Sequence, residues 1–305
     1  MLCNKKNGLW FSVVFGILVA LGVFNQSHAA TNNFTQFKDM TIAVRGHGAA
    51  LIFIPGLNSG TETFDTTCNY FQQHYQCHLV QLPGFAGLAP NNNDSNFLTA
   101  RRDALITYVK QKTTGKVTLI GHSLGGTLSL MIALKAPELI DKLIIVDALP
   151  FFPALQNPAL TAELVRPQAE QMRTMMDNQT QTDYQQNAAA QLHGMSNNPA
   201  RMPLLLKWSK TSDRATTTQA LYDLMTTDLR ADLARIEQPT LVLGAWAAYK
   251  AYGSTKDSTQ TIFQTQYASL KDVDIRLSES GYHFLTWDDP EWVNEQIQQF
   301  LQFTK

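Results

Sequence analysis

The sequence predicts an α/β protein, a mostly parallel central sheet flanked by helices and carrying a helical cap insertion. Short apolar, β-branched runs bounded by glycine or proline recur along the chain, as in strands buried on both faces. Helical patterns lie between them, which is the alternation that parallel crossovers require. From Ala148 to Pro239 this alternation stops, and helix-forming and loop sequence continues without a strand.

Strands are expected at about 40–45 (MTIAVR), 50–54 (ALIFI), 78–82 (HLVQL), 117–120 (VTLI), 142–147 (KLIIVD), 240–243 (TLVL) and 273–277 (VDIRL). Helices are expected near 61–75, 97–112, 124–136, 257–270 and 291–303. In the last of these, Pro290 suits the first helical position, and Trp292, Val293, Ile297, Phe300 and Leu301 form one apolar stripe. Asp288 and Asp289, just before it, read as helix caps. The insertion holds Met172, Met175, Met176, Met195, Met202 and Met225, six of the nine methionines. Methionine lines adaptable apolar pockets, and it equally fills a small core. The resulting organisation is 1–29 signal peptide, 30–147 first part of the core, 148–238 helical cap and 239–305 second part of the core.

The leader rests on Lys5 and Lys6, an apolar stretch from Leu9 to Phe24, and the small residues Ser27 and Ala29 at the cleavage positions. The apolar run is shorter than the roughly 20 residues a bilayer demands, so export to the periplasm or medium is expected, with no membrane anchor after cleavage. About 275 residues then remain, enough for one large domain with an insertion. Lys plus Arg is 24 and Asp plus Glu is 25, with no basic stripe, so nucleic acid is excluded as a partner. Cys68 and Cys77 survive cleavage, and in an oxidising compartment such a pair reads as a disulfide, with two free thiols as the alternative.

The chemistry centres on TLIGHSLGGTLSL at 118–130. A serine hydroxyl is a poor nucleophile without a base. Exposing it on a tight strand-to-helix turn requires small residues two before and two after, here Gly121 and Gly125 around Ser123. The spacing of Gly121, Gly125 and Gly126 fits neither a dinucleotide-binding fingerprint nor a P-loop. Only His193 and His283 follow Ser123 in the chain. His193 falls in the insertion, whereas His283 lies between the last strand and the terminal helix, at the sheet edge where ligands gather. The turn Pro55-Gly56-Leu57 leaves a strand, and the backbone N–H groups of Leu57 and Leu124 form a candidate oxyanion hole. An ordinary turn into the next helix would look the same.

Pro55-Gly56-Leu57, LPGFAG at 82–87, GHSLGG at 121–126 and the terminal HF with DDP together resemble the α/β-hydrolase superfamily, specifically its cap-bearing members, from about Met40 to Phe303. The resemblance implies Ser123 as nucleophile, His283 as base, and Leu57 and Leu124 as oxyanion donors. It disfavours the dehalogenase and epoxide-hydrolase chemistries, which use aspartate at the position of Ser123. One departure concerns the acid: TLVLG is followed by AWAAYKAYGSTKD, with no carboxylate before Asp257. Asp147, which ends KLIIVD, is the leading choice because some cap-bearing members place their acid there; Asp257 is the rival. The expected function is an exported serine hydrolase acting on an ester, lactone or amide. It needs no metal or organic cofactor, and its substrate is a small, uncharged acyl compound. The alternatives are a non-catalytic binding member of the fold and an acyltransferase to an acceptor other than water.

Overall fold

Each central strand turns alternate side chains to opposite faces, and the cores on the two sides of the sheet follow from that period of two. In β3 (Ala49–Ile54) Ile52 and Ile54 enter one core while Leu51 and Phe53 enter the other. β6 (Ile140–Val146) divides the same way, Leu143 and Ile145 against Ile144 and Val146. In the computed structural model, which describes residues 34–91, 96–155 and 157–302, these strands belong to one eight-stranded sheet of order β1-β2-β4-β3-β5-β6-β7-β8. The remaining strands are β1 (Phe34–Phe37), β2 (Met40–Gly46), β4 (Tyr75–Gln81), β5 (Val117–His122), β7 (Thr240–Gly244) and β8 (Val273–Leu277). β2 runs antiparallel to β1 and to β4, and every pairing from β4 to β8 is parallel. The expected signal peptide lies outside the described residues.

One face is covered by α2 (Phe97–Lys112), α3 (Leu124–Lys135) and α8 (Lys256–Gln266), whose Leu98, Leu105, Leu128, Ile132 and Phe263 join the larger core. The other face is covered by α1 (Asp65–Phe71), α9 (Leu285–Asp288) and α10 (Pro290–Gln302), through Phe71, Leu285, Val293, Ile297 and Leu301. Among the described residues, four α-helices lie between β6 and β7: α4 (Ala162–Asn178), α5 (Gln181–Gln191), α6 (Met202–Thr211) and α7 (Arg214–Thr226). They are tied to the sheet layer by Asp223 of α7, which is 1% exposed. Its Oδ2 accepts from the N–H groups of Phe97 (2.6 Å) and Leu98 (3.3 Å) at the start of α2, and its Oδ1 from Gln219 Nε2 (2.8 Å). Free N–H groups at a helix start need such acceptors.

Three expectations need correction. β1 was not expected: its residues are mostly exposed, so it carries no burial alternation. The helix expected over 61–75 is a 3₁₀ turn at Thr61–Phe64 followed by α1, and the chain is already in β4 by Tyr75. Cys68 and Cys77 are two free thiols, not a disulfide. Both are fully buried, and the Cys77 thiol donates to the Cys68 carbonyl at 3.6 Å.

His78 of β4 is buried between Tyr108, whose hydroxyl lies 2.7 Å from Nδ1, and Gln76, whose Oε1 lies 3.0 Å from Nε2. Burial lowers its pKa to about 4, so the folded protein holds it neutral. Between that value and the ordinary one near 6.5, the unfolded chain binds a proton that the folded chain does not, so stability falls as pH falls through this window. Urea unfolding at pH 7 and pH 4.5 should show this loss, and a smaller one in His78→Gln; equal losses in both proteins would remove His78 as the cause.

Candidate active site

Ser123 is the single residue between β5 and α3. Its backbone, at φ 53° and ψ −121°, is one that side-chain-bearing residues rarely adopt. Neighbouring groups hold it there: its N–H donates to Val146 O at 2.9 Å, and its carbonyl accepts from Gly126 N at 2.8 Å. The flanking glycines answer to distances. A Cβ on Gly121 would lie 2.2 Å from Gly125 O, one on Gly125 would lie 2.0 Å from Ile54 O, and one on Gly126 would lie 2.6 Å from Ala148 Cβ. Ser123 is left partly exposed while His122 and Leu124 beside it are fully buried.

Asp147 follows β6 directly, at φ 46°. Its own N–H donates to Leu243 O at 2.7 Å, and its Oδ1 accepts from Ala245 N at 2.8 Å. These bonds join the carboxyl ends of β6 and β7 and fix the carboxylate. Oδ2 then lies 2.6 Å from Nδ1 of His283. With Nδ1–H donating to the carboxylate, Nε2 keeps a free lone pair, the tautomer a general base needs. Asp257 stands elsewhere, exposed in the first turn of α8. The loop AWAAYKAYG forms a 3₁₀ segment, Ala247–Tyr252, ended by Gly253 at φ 89°. It brings Tyr249 within electrostatic reach of Asp147: burial raises this phenol's pKa, and the carboxylate's charge raises it further.

The loop bearing His283 is braced from both sides. Ser278 Oγ accepts from Gly281 N (2.9 Å) and donates to Asp289 Oδ2 (2.6 Å). Asp288 Oδ2 accepts from Tyr282 N and from Asn197 N, each at 3.0 Å. Both aspartates, expected as caps of the terminal helix, thus direct these oxygens to the loop. Phe284 N donates to Met195 O at 3.0 Å, and the Phe284 ring stacks on Trp287 at 4.3 Å within a cluster that includes Leu205 and Trp208. His193 lies in the turn after α5, where its N–H donates to Ala190 O at 3.4 Å.

The turn after β3 lies against Ser123. A Cβ on Gly56 would stand 3.0 Å from Ser123 Cβ and 3.1 Å from His122 Nδ1. Ser59 N closes the turn onto Gly56 O at 3.2 Å. Asn58, at φ 57°, accepts from Thr217 Oγ1 of α7 at 2.6 Å, and Gln81 Nε2 donates to Ser59 O at 3.3 Å. These contacts fix the turn that carries Leu57, and Leu124, at the first position of α3, has an N–H with no intrahelical acceptor. His122, missed from the sequence, also belongs here: Nε2 lies 2.9 Å from His283 O. Only its place beside Ser123 in the elbow pointed to it. Among the described residues, no group of three or more His, Cys, Asp or Glu side chains gathers as a metal site would need.

The distances at Gly56 make a prediction. In Gly56→Ala the new methyl group meets Ser123 Cβ at 3.0 Å and His122 Nδ1 at 3.1 Å, so the turn or its neighbours must give by a few tenths of an ångström; with Leu57 as an oxyanion donor, losing that donor costs on the order of 10²–10³ in kcat. Kinetics on any turned-over ester should show this with an unchanged thermal midpoint; activity within threefold of the parent (a factor of about 3 is under 1 kcal/mol) would detach the turn from catalysis.

Comparison with known proteins bears on the fold and the family. A pimeloyl-[acyl-carrier protein] methyl ester esterase from Nitrosomonas europaea is 25% identical over 209 residues, 66% of this chain and 78% of the relative. One from Aliivibrio fischeri is 30% identical over 109 residues, 36% of this chain and 40% of that relative. Among solved structures, a Pseudomonas aeruginosa hydrolase superposes with TM-score 0.71 at 17% identity, covering 90% of this chain and 99% of the other. An Exiguobacterium antarcticum esterase gives 0.70 at 17% identity, covering 89% and 99%. These two share the fold. The sequence profile of the alpha/beta hydrolase fold matches residues 49–245. With that match over most of the chain, a parallel sheet and a glycine-flanked serine turn, this protein belongs to the α/β-hydrolase family.

Proposed function

We propose that this chain is an exported serine esterase that works through an acyl-enzyme, with Ser123 as nucleophile, His283 as base, Asp147 as the acid behind it, and the N–H groups of Leu57 and Leu124 as oxyanion donors. The observation that carries this reading is the 2.6 Å contact from Asp147 Oδ2 to His283 Nδ1, made at the sheet edge where Ser123 occupies its strained turn. In the first step Ser123 Oγ attacks the ester carbonyl while its proton passes to His283 Nε2. Asp147 stabilises the imidazolium through Nδ1–H, and the carbonyl oxygen, now negative, takes the two backbone donors. The imidazolium gives its proton to the departing alcohol, leaving Ser123 acylated. Water repeats the sequence in reverse, with His283 taking its proton and returning it to Oγ, and the acid is released.

An ester is favoured over an amide because the relatives with named substrates are ester hydrolases. Those enzymes take a carrier-bound acyl group; an exported chain with balanced charge and no basic stripe suits a free, uncharged acyl ester better. Residues 148–238 would serve as the cap over this ester. In support, α7 bonds the oxyanion turn through Thr217, and α6 supplies Leu205 and Trp208 to the cluster around Phe284.

Substitution kinetics on one good short-chain ester test the roles. Ser123→Ala and Asp147→Asn should each lose about 10⁴-fold or more in kcat with the fold intact. Asp257→Asn should stay near the parent rate, and a reversed pattern for the two aspartates would move the acid to Asp257. A fluorophosphonate probe should label the parent and not Ser123→Ala; an unlabelled parent would favour a binding protein.

Export is tested separately. The mature protein from its native host should begin at Ala30 or within a few residues of it, and a chain starting at Met1 would refute cleavage.

A further inference from the structure

We infer that His122 is a positioning residue: its buried imidazole, next in the chain to the nucleophile, holds the main chain of the base to the elbow. This rests on the serine-hydrolase reading of the site. A nucleophile elbow constrains the residues two before and two after the serine, and the distances at Gly121 and Gly125 account for both. Nothing in the turn itself dictates position 122. Here it carries a side chain with no exposed surface, whose Nε2 lies 2.9 Å from the carbonyl oxygen of His283. A carbonyl only accepts, so Nε2 carries the proton. One hydrogen bond thereby links the residue before the nucleophile to the backbone of the base.

The rest of the ring's surroundings fit this role. A neutral imidazole has one N–H, so Nδ1 is left as a bare acceptor; it is buried, has no hydrogen-bond partner, and faces Gly56 at the distance already given. The ring lies 4.5 Å from that of His283 and 4.8 Å from that of Phe284. Burial drives the pKa of His122 well below the ordinary histidine value, and the charge of a protonated His283 lowers it further, against the opposing pull of the hydrogen bond. That direction matters for turnover. His283 must hold a proton briefly between the two transfers, and a neighbouring imidazole of ordinary basicity would compete for it. His122 stays neutral, so it orients the base without taking its proton.

The test compares His122→Phe, which fills the space without a donor, with His122→Gln, whose amide nitrogen reaches about as far as the imidazole Nε2. With a displaced base, kcat for His122→Phe should fall on the order of 10–100-fold, with KM within about twofold. His122→Gln should recover most of that loss. A residue that only packs would be served as well by phenylalanine. Full activity in His122→Phe, equal loss in both variants, or a loss carried by KM would each overturn the inference. Nitrogen NMR of the ¹⁵N-histidine-labelled parent gives an arm that needs no variant to fold. The His122 ring should be neutral at pH 7.5 with the proton on Nε2, and a proton on Nδ1 would overturn the tether. Ser123→Ala runs alongside: if it remains active, the site reading itself falls, whereas an inactive Ser123→Ala beside a fully active His122→Phe removes only the role of His122.

Discussion

The site depends on how closely α3 approaches the end of β3. Where Gly125 has only a hydrogen, a methyl group would sit 2.0 Å from Ile54 O, and at Gly121 it would sit 2.2 Å from Gly125 O. Contacts that short leave no rotamer or small shift by which a larger residue fits. Because the helix begins so near the sheet, its first N–H groups and the Pro55-Gly56-Leu57 turn come to the same point. Ser123 must then take a backbone conformation that costs energy, and the bonds to Val146 O and from Gly126 N and Thr127 N offset that cost. The strain is local and so is its support.

The carboxylate shows a different economy. Asp147 uses one oxygen to bind the backbone just past β7 and the other to face His283. Because Asp147 is anchored across two strands, its geometry is set by the sheet and not by a loop. Ala245, the residue after β7, contributes only its N–H to this arrangement. The chain after it coils into Ala247–Tyr252 and leaves Tyr249 about half exposed at 54% and Tyr252 largely exposed.

Much of this was legible because it is periodic or punctuated by glycine. The buried strands announce themselves by continuous apolar runs, and the elbow by Gly121 and Gly125. What was not legible has physical reasons. β1 has no buried face to leave a pattern. The choice between Asp147 and Asp257 is one of distance across strands far apart in sequence, and no local spacing encodes it. Asp288 and Asp289 stand where caps belong, but their bonds to Tyr282, Asn197 and Ser278 arise only once the His283 loop folds back. His122 looked like filler between two constrained positions because its partner is a backbone carbonyl 161 residues away. The thiols of Cys68 and Cys77 lie together as the pairing required, yet the Cys77 thiol is spent on a carbonyl.

Asp223 bears on whether the inserted helices are a detachable part. A carboxylate from α7 supplies the acceptor for the N–H groups that open α2, a helix of the sheet layer. Replacing the insertion with a short linker, or grafting in that of a relative, would strip this buried acceptor away and leave those two donors without their partner. Exchanging this segment therefore calls for a compensating change at the start of α2, which ties the inserted helices to the scaffold.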